Sequence, residues 1–211
     1  MTIIIDDAGS GDLLFGVVIG AYRNETQEFK YELIDVKYFQ QDLFGQKEYL
    51  NQTSTIVKKL LQNLQIKSQE EICLCQGYIF DETVNELKKT HAEDHIRRIR
   101  VIGEPQRLTE IAYLDEIRNL GYTPLDERED KRAKSFFHMM RWLKENPQML
   151  KYAKTGWPKL NRYKLFNPNQ KNKTHAATCT TCGKPCKVPF KPQRNRPVYC
   201  PTCWQTRKTE R

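Results

Sequence analysis

Two pairs of cysteines near the carboxyl end carry the clearest chemistry in this sequence. The first pair reads Cys179-Thr-Thr-Cys182, and seventeen residues separate it from the second, Cys200-Pro-Thr-Cys203. Pairs at this spacing are typical of zinc sites, because each tight turn directs two thiolates to one point. Four sulfur ligands leave no open position on the metal, which indicates a structural zinc ion and not a catalytic one. Chance spacing or a redox-active pair is the alternative, and Cys186 fits neither pair.

The residues around these cysteines resemble a known kind of zinc module. Cys182 to Pro192 reads Cys-Gly-Lys-Pro-Cys-Lys-Val-Pro-Phe-Lys-Pro, and the eight residues that end at Cys203 read Arg-Pro-Val-Tyr-Cys-Pro-Thr-Cys. Both stretches are similar to the short CxxC–CxxC zinc-ribbon tails of many bacterial and archaeal proteins. The resemblance covers the carboxyl-terminal tail alone. It implies zinc bound by the four paired cysteines, together with contact to nucleic acid or to a protein partner.

Positive charge is concentrated in the same tail. The chain has a formal net charge of +9, and residues 171–211 carry ten lysines and arginines against one acid, Glu210. Residues 1–170 carry 25 basic and 25 acidic side chains and are therefore neutral. A small cationic module suits the phosphate backbone of DNA or RNA, and a solubilising tail is the alternative. Aromatic side chains that could stack on bases are interleaved with these cations or precede them: Trp157, Tyr163, Phe166, Phe190, Tyr199 and Trp204.

The compartment can be predicted from what the sequence does not contain. The first residues, Met-Thr-Ile-Ile-Ile-Asp-Asp, have neither the basic nor the apolar region of a secretory signal. No apolar run approaches the roughly 20 residues that a membrane-spanning helix needs. Metal-bound and buried thiols suit a reducing environment. We therefore expect a cytoplasmic protein with no membrane partner.

The first 154 residues read as strands that come to alternate with helices. Apolar patterning predicts three strands joined by short turns, then a helix, and then two further strands that alternate with helices. The predicted strands lie at 2–6, 13–22, 31–39, 71–80 and 96–102, and the helices at 47–64, 83–91, 107–120 and 126–144, with a shorter helix to Lys154. We predict an α/β (α+β) domain over 1–154 with a mixed five-stranded sheet, a linker over 155–174, and a zinc ribbon over 175–211.

This order of elements is similar to the ribonuclease-H-like fold. In that family the first, fourth and fifth strands run parallel, and carboxylates near their carboxyl ends hold divalent cations. Carboxylates that converge on one edge of a sheet repel each other unless a cation lies between them. The resemblance implies a Mg²⁺ or Mn²⁺ site for phosphodiester hydrolysis. It is built from acids at the ends of these strands and in the first turn of the helix that follows: Asp6, Asp7, Asp81, Glu82, Glu104 and Glu110.

The same acids also have structural interpretations. Asp81 and Glu82 could cap a helix, and Asp6 and Asp7 begin a stretch, Asp-Asp-Ala-Gly-Ser-Gly, that is typical of turns. That stretch also resembles the phosphate-loop hairpin of actin- and sugar-kinase-like ATPases, although the residues before the linker are too few for the two domains of that family. Register decides which of the two adjacent aspartates points inward.

Three functions therefore stay open. One is a metal-dependent nuclease, and another is a non-catalytic module that binds nucleic acid or a ribonucleoprotein. The third is a protein adaptor, for which a neutral body and a zinc module suffice. Whether the protein is an enzyme at all, and whether it acts on DNA, RNA or a hybrid, depends on how close the acids lie to one another.

Overall fold

The computed structural model describes residues 1–126, 131–169 and 174–209. Residues 127–130 of the predicted helix and residues 170–173 of the predicted linker and basic tail lie outside the described residues, as do the last two residues of the chain. The chain divides into two compact units, 1–161 and 162–211, each with its own internal contacts.

The first unit is built on a mixed sheet of five strands in the order β3-β2-β1-β4-β5. The strands are β1 (Thr2–Ala8), β2 (Val17–Arg23), β3 (Glu28–Ile34), β4 (Glu71–Cys75) and β5 (Ile96–Ile99). The first three are antiparallel neighbours, whereas β1, β4 and β5 run parallel. The predicted mixed five-stranded sheet is confirmed. In sheets of this kind, ligands bind beyond the carboxyl ends of the parallel strands. In this protein that edge of the sheet includes the carboxyl ends of β1 and β4.

Helices cover both faces of this sheet. They are α1 (Gln41–Phe44), α2 (Glu48–Asn63), α3 (Asp81–Leu87), α4 (Glu104–Asn119) and α5 (Arg132–Glu145). Ile3, Ile5 and Ile19 belong to the hydrophobic cluster that includes Val57 and Leu60 of α2.

Helix α4 packs on the opposite face of the sheet. A Cβ on Gly20 of β2 would lie 2.2 Å from Thr109 Oγ1 of that helix. Glycine at this position therefore permits the close approach of α4.

Several predicted boundaries were wrong, and each error has a local cause. Residues 36–39 are not part of β3, because the Asp35 side chain accepts a hydrogen bond from the amide of Lys37 and starts a 3₁₀ turn. The left-handed backbone of Phe15, with φ of 64°, delays β2 to Val17. The predicted fourth strand over 71–80 ends at Cys75, and its apolar remainder forms a 3₁₀ turn, Tyr78–Phe80, that buries Ile79 and Phe80.

The segment after α5 completes the first unit and packs against the residues that follow β1. A 3₁₀ helix, Pro147–Tyr152, leads into an extended stretch, and Leu14 forms an antiparallel bridge with Ala153. The amide of Phe15 donates to the Tyr152 carbonyl at 2.7 Å, and the amide of Lys154 donates to the Leu13 carbonyl at 2.9 Å. Residues 152–154 thus fix residues 13–15, which follow the turn after β1. We call residues 152–154 the strap. The first part of the predicted linker continues this packing, with Leu160 buried.

The second unit is a small hairpin followed by a helix. Strands β6 (His175–Thr178) and β7 (Pro185–Val188) pair antiparallel, and helix α6 (Pro201–Thr209) ends the described chain. Its buried side chains among the residues described are Cys179, Val188 and Val198. Across the described chain, every helix is too short or too polar to cross a membrane.

Candidate zinc centre and acidic cleft

The four paired cysteines of the tail converge on one point. Their sulfur atoms all lie within 4.8 Å of one another, and Cys182 Sγ is 3.9 Å from Cys200 Sγ. A tetrahedral zinc ion with bonds of about 2.3 Å places its sulfur ligands about 3.8 Å apart. The residues present therefore fit a structural zinc ion.

Two different local structures position the two pairs. The first pair lies in the turn between β6 and β7, which is closed by hydrogen bonds from the Cys179 amide to the Lys184 carbonyl and from the Gly183 amide to the Cys179 carbonyl, both 2.9 Å. The second pair lies at the start of α6. There the amide of Cys203 donates to Cys200 Sγ at 3.5 Å, so that a helix N-terminus supports a thiolate.

The environment of the sulfur atoms explains why a cation is needed. Amide donors, the Cys182 N–H first and the Cys200 N–H next, lower the pKa of Cys179 to about 6. Hydrogen bonds with Cys200 and Cys182 raise the pKa of Cys203 to about 12, because they favour the protonated thiol as donor to its neighbouring sulfur atoms. A divalent cation at the centre removes this conflict, since zinc binds the deprotonated form of each ligand.

Comparison with known families agrees with this geometry. Residues 172–208 match a family model described as a probable treble clef zinc finger. No curated protein matches the chain. The predicted four-cysteine zinc site is confirmed by this match together with the cysteine cluster. A zinc finger of this kind is compatible with nucleic-acid binding. We call residues 174–209 the finger.

The first unit contains a separate cleft at the carboxyl ends of β1 and β4. Its volume is about 240 Å³. Asp6, Asp7 and Cys75 each offer a ligand atom, and these atoms lie within 4.8 Å of one another. Because Ile5 pairs with Leu74 and β4 ends one residue later, Asp7 extends past the end of β4. The adjacent side chains of Asp6 and Asp7 leave β1 on opposite faces, and both can therefore reach the space beyond the end of β4.

Burial and positive charge act against each other on Asp7. Burial raises the pKa of this carboxyl group above its ordinary value, and a hydrogen bond from Ser10 and the positive charges of Lys154 and Arg132 oppose this rise without cancelling it. The side chain of Lys154 is completely buried. Its ammonium group donates to the Gly9 carbonyl and lies 5.0 Å from the centre of the Phe39 ring.

A buried tyrosine fixes the turn that forms one wall of the cleft. Tyr113 of α4 donates from its hydroxyl to the Leu14 carbonyl at 3.0 Å. Burial and the adjacent Asp12 carboxylate raise the pKa of Tyr113 well above its ordinary value, so this hydroxyl stays a donor. The ring also lies against Gly9, where φ is +85° and an added Cβ would come within 2.2 Å of the ring. Glycine is therefore required at this point of the turn.

The predicted acids are divided between the cleft and the surface. Glu110 lines the cleft with Asp6 and Asp7, although it lies beyond the first turn of α4. Asp81 and Glu82 lie in the first turn of α3, not at the end of β4, and do not line the cleft.

Arg98 explains why Asp81 is held away from the cleft. The guanidinium group of Arg98 pairs with Asp81 at 3.0 Å and donates to the carbonyls of Cys75 and Gly77. The end of β4 is therefore capped by an arginine of β5, and the exposed Asp81 carboxylate pairs with that arginine.

Glu104 was placed at the end of the fifth strand by the sequence. The structure ends β5 at Ile99 and makes Glu104 the first residue of α4. Its carboxylate forms two hydrogen bonds with Arg107, at 2.6 and 2.9 Å, on the exposed surface. Glu104 thus acts as an ordinary first-turn acid.

Sequence reasoning missed several residues of the cleft. The sequence analysis did not identify Cys75, which lies in the predicted fourth strand, as a site residue. Burial, with a contribution from the Asp6 carboxylate, raises its pKa to about 11, which keeps it a thiol at neutral pH. Arg100, Arg132 and Gln106 also line the cleft. Nothing in the sequence distinguishes Lys154 from the nearby Lys151 and Lys159 or indicates its contact with Gly9.

Proposed function

We propose that this protein binds nucleic acid through its finger and hydrolyses phosphodiester bonds in the acidic cleft with the help of Mg²⁺ or Mn²⁺. One observation carries the catalytic part. The carboxylates of Asp6 and Asp7 converge at the carboxyl end of two parallel strands, in a cleft that also presents Arg100 and Arg132. Acids suit a hard divalent cation, and arginines suit the phosphate group of a substrate.

The residues of the cleft have distinct roles in this proposal. Asp6 and Asp7 would hold the cation, and Glu110 faces the same space. Cys75, as a neutral thiol, is a poor ligand for a hard cation and would serve to exclude water. A bound divalent cation lowers the pKa of a coordinated water and stabilises charge on the leaving oxygen. Arg100 and Arg132 would orient the phosphate group by charge-assisted hydrogen bonds.

The nucleic-acid part of the proposal rests on charge. Residues 171–211 carry a formal +9, and a zinc ion with four thiolates has a net charge of about −2, so that about +7 remains. Such a surface releases counterions when it meets a polyphosphate, and affinity then falls steeply as salt rises. Removing residues 162–211 should abolish most of the binding and its salt dependence. A truncated chain 1–161 that keeps its affinity would contradict this assignment.

Cleavage assays that compare variants of the cleft acids with a control acid test the catalytic part of the proposal. The full chain is incubated with single-stranded, duplex, hybrid and branched substrates in Mg²⁺ or Mn²⁺. We expect Asp6→Asn and Asp7→Asn to lower the rate by about 10²–10³-fold, because each removes a cation ligand. Glu104→Gln is the control, since that acid pairs with Arg107 on the surface. Binding should be unchanged in all three variants.

A second candidate function is a binding module without catalysis. It is favoured by the protein's own cations, because Lys154 and Arg132 already act on Asp7 and offset part of its charge. In that case the wild-type chain binds nucleic acid but cuts none of the substrates with either metal. Isothermal titration with Mn²⁺ separates the two candidates. A metal site gives a heat of Mn²⁺ binding that Asp7→Asn removes, whereas a cleft neutralised by ion pairs gives no such heat.

A further inference from the structure

The finger carries an open aromatic groove that the zinc site does not use. Phe190 and Trp204 are 52% and 56% exposed, although both are large apolar side chains. Tyr199 and Trp204 lie with ring centroids 6.1 Å apart and an interplanar angle of 30°. Together with Pro189 and Pro197 these residues line a cavity of about 420 Å³. We call this cavity the aromatic groove.

A second cavity adjoins the aromatic groove and differs from it in charge. It has a volume of about 320 Å³, shares Pro197, Tyr199 and Trp204 with the groove, and adds Arg207 and Lys208. Arg207 is held in place, because its guanidinium lies 4.9 Å from the Tyr199 ring centre and donates to the Tyr199 hydroxyl at 2.7 Å. One aromatic pair thus separates an apolar space from a cationic one.

The pairing of these two cavities specifies the chemistry of a ligand. The ligand must offer a flat apolar face to the rings and negative charge to the cations beside them. Lys187 lines the groove from its other side, and no acidic residue is among the described residues that line either cavity. An unstacked nucleobase with its flanking phosphates meets both demands.

Other occupants meet only one of these demands. A proline-rich peptide would fill an aromatic groove, but it has no negative charge to pair with Arg207 and Lys208. A closed duplex would pair with the cations, but its bases are stacked on each other and cannot reach the exposed face of Trp204.

We propose that the finger binds single-stranded nucleic acid by stacking an unpaired base in the aromatic groove, with the adjoining phosphates held by Arg207 and Lys208. This inference rests on the nucleic-acid binding proposed above and names its substrate class. It does not depend on cleavage in the acidic cleft.

Binding measurements with matched variants test the inference. Fluorescence anisotropy is recorded on the full, zinc-loaded chain with a labelled single strand of mixed sequence, and with the blunt duplex of that sequence, without added Mg²⁺ or Mn²⁺. We expect Trp204→Ala to weaken single-strand binding by about 5- to 100-fold and Trp204→Phe to retain most of it. Phe190→Ala should weaken it in the same direction. Duplex binding should change less than twofold.

Controls separate the possible failures. Phe137→Ala removes an equally exposed ring from α5 of the first unit and should have no effect. Zinc content confirms that each variant keeps its fold. The inference is overturned if Trp204→Ala leaves single-strand affinity unchanged or weakens duplex binding equally, or if a proline-rich peptide displaces the strand from the wild-type chain. If the wild-type chain binds neither strand nor duplex, the proposed nucleic-acid function fails as well.

Discussion

Loss of one zinc ligand should unfold the finger and leave the first unit intact. Cys182→Ser removes a sulfur that lies 3.9 Å from its partner Cys200 Sγ. The finger has little else to fold around, because Val188 and Val198 are its buried aliphatic residues among those described. Their burial contributes about 3–6 kcal/mol, whereas a structural zinc ion contributes about 10–16 kcal/mol. The metal is therefore the larger contribution to the stability of the finger.

Zinc content and proteolysis measure this effect. After dialysis against a weak chelator, the wild-type chain should keep one zinc ion per chain and Cys182→Ser less than about a tenth of that. Limited proteolysis should then cut the variant within 162–211 and spare 1–161. Cys186→Ser is the control, because this thiol lies outside the set of ligands. A Cys182→Ser chain that keeps its zinc, or a Cys186→Ser chain that loses it, would refute the assigned ligand set.

Two further predictions concern the stability of the first unit, and urea unfolding measures both. Gly9→Ala should cost about 2–4 kcal/mol, because the added Cβ meets the Tyr113 ring in a left-handed backbone, whereas Gly11→Ala, with nothing within 4 Å, should change stability by less than about 1 kcal/mol. Equal effects of the two substitutions would disprove this account of the turn. Glu70→Gln should cost about 1.5–3 kcal/mol, because it removes the buried carboxylate that accepts from the Arg23 guanidinium at 2.9 and 3.0 Å, while Glu28 still lies 3.7 Å from that guanidinium. A loss below about 1 kcal/mol would show that the pair contributes little to folding.

The zinc site could be predicted from the sequence because its ligands are encoded locally. Each cysteine pair forms its own turn, so spacing within the pair fixes two ligands without knowledge of the fold. Helix α6 was not predicted, because its nine residues show no apolar periodicity. The remaining signal was Pro201 directly after Cys200, since proline is common at the first position of a helix.

The acidic cleft could be predicted only in part, because it depends on where strands end. Asp6 and Asp7 lie at the edge of the sheet where the sequence predicted them, since β1 is central and parallel to β4. Asp81 was misplaced, because the apolar residues before it resemble a strand and instead form a 3₁₀ turn that buries Ile79 and Phe80. A run of apolar residues indicates burial but does not distinguish a strand from a turn packed on the core.

The helical extension that follows the sheet contributes positive charges to the acidic cleft. The hydrophobic cluster around α2 draws its buried residues from between Ile3 and Ile96, and the later segments bury Met139, Leu143 and Leu160 of their own. They add Arg132 from α5 and Lys154 from the strap, and both lower the pKa of Asp7 against the effect of burial. A carboxylate in a desolvated cleft stays ionised only if nearby cations compensate it. Lys154 reaches the Gly9 carbonyl across 145 residues of sequence, and the extension thereby stabilises both the shape of the cleft and the charge on which cation binding would depend.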